Sequence, residues 1–160
     1  MSVIVDRNAT FKIEFQYIEN KNPDGKIISI DIVDNVENAS IFSGDFVNVS
    51  FDMMSEAKEE ATVINHINEK SMLRYKIFVP VLLSMVCRTW NLTIDNGNKM
   101  PIDKNVFSAM HFNFCEEIFK RWCKITKQHI IEEPTDEMFL QFYNKLINDI
   151  VQKIKNMGEK

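Results

Sequence analysis

Glycine and proline are scarce, with four of each in 160 residues. That excludes a low-complexity chain and a loop-rich β sandwich. Cysteines number only three. Cys87, Cys115 and Cys123 are odd in number and sit inside apolar segments, so they read as reduced, buried thiols and not as a disulfide framework. Clustered positive charge is missing: the net charge is −4, and Lys58, Lys70, Arg74, Lys76 and Arg88 are interrupted by acids or apolar residues. A nucleic-acid binder is expected to show a basic patch, so no nucleic-acid partner is expected. Long hydrophobic runs are also lacking. The longest, Ile77 to Cys87, contains Pro80 and lies between Lys76 and Arg88. A bilayer span needs about 20 apolar residues, so this run predicts a buried core helix and no membrane partner. Met1 to Thr10 shows neither a basic start nor an apolar stretch, so no secretory leader and a cytoplasmic location are expected.

What is present reads as an α+β protein of one domain, 1–160, with a β-rich part over 1–53 and a helical part over 54–160. Phe11, Ile13, Phe15 and Tyr17 alternate with Lys12, Glu14 and Gln16, the period of a half-buried strand. Asn22-Pro23-Asp24-Gly25 is a turn signal, and Ile28, Ile30 and Ile32 continue as a second strand. After a polar, irregular stretch from Asp34 to Gly44, the alternation over Phe46 to Met53 predicts a third strand. An N-terminal three-stranded antiparallel sheet is therefore expected, followed by four or five α-helices. The first helix is expected from a Ser55 cap through Ala57, Ala61, Ile64 and Ile67. The second, over 71–91, is apolar nearly all round and should be central, kinked or divided at Pro80. A loop follows from Trp90 to Asp103. Asp103 caps a helix carrying Phe107, Met110, Phe114, Ile118 and Trp122 and fading near Lys127. Glu132-Glu133-Pro134 is a candidate hinge. Thr135 caps the last helix, whose stripe is Phe139, Phe142, Tyr143, Leu146, Ile147, Ile150, Val151 and Ile154.

The chemistry-bearing residues have structural explanations. His111 and Cys115 are spaced to share one helix face, but a structural zinc needs four ligands, and Cys123 and His129 lie two or more turns further on. Cys87 could in principle pair with His66 or His111 as a nucleophile. It ends the most apolar run of the chain, however, while reactive thiols sit in electropositive, partly exposed settings. Neighbouring acids such as Glu116-Glu117 diverge on a helix, and Asp95, Asn96 and Asp103 lack the order and closing Glu of an EF-hand. No phosphate-cradling glycine loop and no Gly-x-Ser-x-Gly occurs. No catalytic residue, metal or cofactor is expected.

The segment Trp90-Asn-Leu-Thr-Ile-Asp95-Asn-Gly97-Asn-Lys-Met-Pro101-Ile-Asp103 resembles a pattern in small proteins of the tail-gene region of long-tailed phages. These carry a Trp, an Asp-Gly turn, a Pro-Ile or Pro-Leu step and then an amphipathic helix, and several are tail assembly chaperones. They too begin β-rich and turn helical. The following helix here departs from the pattern by lacking a Leu-Pro step. The resemblance implies a non-catalytic chaperone, in the host cytoplasm, that shields the tape-measure protein or guides tail-tube subunits. A structural virion component joining its neighbours by strand or helix packing is the alternative, and an enzyme with a site of unfamiliar form the third. The expected partners are other proteins, a second copy of this chain among them. The candidate partner-binding residues are Trp90, Asp95, Gly97 and Pro101 in the loop, and Phe139, Phe142, Tyr143, Leu146 and Ile150 on the last helix.

Overall fold

The computed structural model describes residues 3–64, 71–128 and 136–158, with side chains from 140 onward in the last segment. β1 (Phe11–Lys21) and β2 (Ile27–Val33) form the expected antiparallel hairpin, with Tyr17 opposite Ile32. Its turn is closed by Asn22, whose Oδ1 accepts from the N–H groups of Asp24 (3.1 Å) and Lys26 (3.0 Å), while Gly25 takes φ +81°.

The third strand lies earlier than its alternation suggested. β3 (Ser40–Phe46) pairs with β1, Phe15 opposite Phe42 and Ile13 opposite Gly44. Part of the stretch expected to be irregular is thus a strand, and the strand ends at Phe46. Phe42, Gly44 and Phe46 share its buried face. The alternation was hidden because the middle member of that face is a glycine. Beyond it, Val47 donates to the Val86 carbonyl (2.8 Å), and Ser50, not Ser55, caps α1 (Phe51–Ala61) by accepting from the Met53 N–H (3.3 Å). Met53, Ala57 and Ala61 are its buried residues, four apart, which leaves Phe51 86% exposed on another face. A helical spacing of four overrides the apparent alternation Val49, Phe51, Met53.

α1 does not continue to Ile64. β4 (Thr62–Ile64) pairs with β5 (Ser71–Leu73) as a separate two-stranded ribbon. Ile67 and His66 lie outside the described residues. The central helix α2 (Tyr75–Val86) runs through Pro80 and buries seven of its twelve residues, so it occupies the middle of the fold as expected. It is shorter than expected, because Cys87–Trp90 becomes β6 and pairs with β3, giving the sheet order β2-β1-β3-β6. The helical part of the chain thus returns a strand to the N-terminal sheet.

The single helix expected after Asp103 is two. α3 (Lys104–Ala109) starts where the Asp103 carboxylate accepts from the Val106 N–H (2.9 Å). Met110 and His111 are extended, and α4 (Phe112–Thr126) follows. The break lets two aromatic anchors face different layers. Phe107 packs on Trp90 (centroids 5.1 Å apart), with α3 lying against α2, while Phe114 meets Phe15, Tyr17 and Phe42 at 5.0–5.5 Å on the sheet. Trp122 is fully buried on α4, and its indole N–H donates to the Val47 carbonyl (3.1 Å). α5 (Asp136–Gly158) ends the described chain. Thr135 and the Glu132-Glu133-Pro134 hinge lie outside the described residues. The architecture is α+β: a mainly antiparallel sheet with five helices.

Candidate interaction surfaces

The loop from Trp90 to Asp103 is a small folded unit. Asn91 ties it to β3: its side chain donates to the Ile41 carbonyl (2.7 Å) and accepts from the Ser43 N–H (3.0 Å). Thr93 and Lys99 bridge across a tip in which Ile94 and Asn98 are hydrogen bonded (2.9 Å) and Gly97 takes φ +82°. Trp90 is only 4% exposed, and its indole N–H donates to the Met100 carbonyl (2.8 Å). Trp90 therefore anchors the loop from inside and offers no surface to a partner, which corrects its place among the binding residues. Asp95, Gly97 and Pro101 are exposed, with Ile94 (42%) the apolar side chain at the tip.

α5 has a different character. It is 23 residues long, and none of its residues from Leu140 to Gly158 is buried. Among the described residues no other element packs extensively against it. Phe142, Tyr143 and Leu146 are half-buried, Ile150 is exposed, and the side chain of Phe139 lies outside the described residues. Leu140, Ile147, Val151, Ile154 and Met157 extend the exposed apolar surface. Leu140 and Met157 were missed in the sequence, although both continue the three- and four-residue spacing of the stripe. The sheet's apolar face is covered by α4. The opposite face carries Lys12, Glu14, Gln16 and Ile18 of β1, Ser29, Asp31 and Val33 of β2, and Ile41, Ser43 and Asp45 of β3, so it is polar apart from a small group around Ile41, itself 49% exposed.

The groups capable of chemistry are dispersed. Burial pushes the Cys87 and Cys115 thiols up to about 12 from the ordinary 9.0, and Cys123 to about 11. For Cys87 the Arg88 charge opposes that effect without cancelling it. A thiol held protonated is neither a nucleophile nor a ready metal ligand. Glu116 and Glu117 diverge into separate ion pairs, with Lys120 (2.7 Å) and Arg121 (2.8 Å). Arg121 also donates to the Glu14 carbonyl and lies over the Phe15 ring at 5.3 Å, so the shallow hollow beside it is lined by a cation already engaged. Among the described residues no group of three or more His, Cys, Asp or Glu is placed to hold a metal ion, and no helix is long and apolar enough to cross a membrane.

No protein-family model matches the chain, and neither a curated protein nor a solved structure matches it.

Proposed function

We propose that this chain is a non-catalytic protein-binding protein whose docking element is α5, working as an assembly chaperone or accessory factor for phage tails. The observation that carries the binding reading is α5: a 23-residue helix with a continuous apolar stripe and no buried residue from Leu140 onward. A lone amphipathic helix of this length is marginal in water, because its stability comes from packing an apolar face. Such a face in a globular chain marks a partner surface. The tail-assembly context rests on the resemblance of the Trp90–Asp103 segment, which points to tape-measure or tail-tube protein as partner. Co-expression with each of these should give a complex that co-elutes on size exclusion. The variant I147D/I154D should lose the complex while keeping its circular dichroism. Failure of the parent chain to bind or solubilise either protein sinks the phage assignment.

A structural virion component is the second reading. It is favoured by β2, an outer strand of the sheet whose Ile28 is 63% exposed, and an unpaired strand edge can accept a neighbour's strand. Its presence in purified virions distinguishes it, since an assembly chaperone is left behind.

A further inference from the structure

The exposed stripe of α5 also fits a heptad. Leu140, Tyr143, Ile147, Ile150, Ile154 and Met157 follow one another at spacings of three, four, three, four and three residues. In heptad notation Leu140, Ile147 and Ile154 occupy a, and Tyr143, Ile150 and Met157 occupy d. Every a and d position from 140 to 157 is apolar or aromatic. Five of the six are 41–73% exposed, and Tyr143 is half-buried. A sustained 3.5-residue repeat keeps an apolar seam facing another helix in a left-handed supercoil.

We propose that α5 is a self-association helix, joining the α5 helices of two further copies of this chain in a parallel three-stranded coiled coil. The proposal rests on the reading of α5 as a docking helix: in the free chain its stripe is occupied by further copies, which a foreign protein binding the same stripe displaces. The sheet offers the seam no full seat, because its open face is polar apart from Ile18, Val33 and Ile41, and its apolar face is covered by α4. Identical copies satisfy the flanking positions. In a parallel assembly a g residue meets the e residue five places on in its neighbour. Leu146 then meets Val151, apolar on apolar, and Lys153 meets Gly158, so no like charges confront each other. Three acids (Asp136, Glu137, Asp149) balance three lysines (Lys145, Lys153, Lys155), leaving a helix with no net charge to repel its copies. β-Branched Ile at both a (147, 154) and d (150) favours three strands over two. Closed three-fold symmetry makes the helices parallel.

Sedimentation equilibrium of the full chain tests this. The expected mass is three times the 18.8 kDa of one chain, falling to one on dilution. I150D places a charge in the seam and should yield monomer at every concentration, with the near-ultraviolet dichroism of the body unchanged. Q152E, at the outward f position, should leave the trimer intact. A concentration-independent monomer for the parent chain overturns the proposal while leaving co-elution with a foreign partner as a separate question. A dimer overturns the three-stranded form. A trimer that survives I150D removes α5 as its cause.

Discussion

At the scale of single residues, Gly44 shows what close packing demands. It sits on β3 opposite Trp90, under the rings of Phe42 and Phe46. A Cβ added there would lie 2.9 Å from the Phe46 ring, 3.1 Å from the Thr89 carbonyl oxygen and 3.2 Å from the Phe42 ring. The carbonyl belongs to the paired strand and cannot retreat without loss of pairing. We expect Gly44→Ala to destabilise by about 1–3 kcal/mol through overpacking, read as a lower urea midpoint with an unchanged slope. A variant as stable as the parent would show that the rings give way freely. The thiols make a second case. Cys87 and Cys115 are 4% and 8% exposed and hold their protons tightly. Iodoacetamide at about pH 8 should leave both unmodified in the folded chain and alkylate all three cysteines in denaturant. Fast modification of Cys87 in the native state would reopen its case as a nucleophile.

Among the elements, α5 stands apart because none of its described side chains is buried. Truncation after Gln128 removes no residue that the described core buries, so the body should keep its near-ultraviolet dichroism and a Tm within about 4 °C of the parent. Loss of cooperative unfolding would mean that α5 packs at home. The isolated 136–158 peptide should be mostly unstructured at low concentration, since a helix of this length gains little without a partner. The other elements differ in how plainly they are written. The hairpin was legible because Asn22, Gly25 and the alternating Ile residues agree on one structure at every level. α3 and α4 merged into one because their apolar spacing runs on through Met110. Only the demand that Phe107 face Trp90 and Phe114 face the sheet breaks them. β6 was hidden because Cys87 to Trp90 is only four residues, directly behind an apolar helical run, and becomes a strand only because β3 presents an edge to it.

For the molecule as a whole, the buried thiols link stability to alkaline pH. Their folded values lie above the ordinary 9.0, at about 12 for Cys87 and Cys115 and about 11 for Cys123. Above about pH 9 the unfolded chain therefore binds fewer protons than the folded one, and stability from this source falls as pH rises from about 9 to about 12. C87A/C115A should show a shallower decline than the parent over that window, whatever its absolute stability. Equal slopes would mean that the thiols do not carry the effect.

By itself the sequence determined the α+β class, the hairpin and its turn, the Asp103 cap, the central apolar helix and the apolar stripe of the last one. Each of these follows from local periodicity, turn chemistry or capping, which neighbours along the chain can decide. Only the tertiary structure decided that Ser40–Phe46 and Cys87–Trp90 are strands, and that α4, not α5, takes the apolar face of the sheet. Strand pairing and burial depend on partners distant in the chain, so the same apolar residues read alike in sequence whether they fill a core or stand open to another protein.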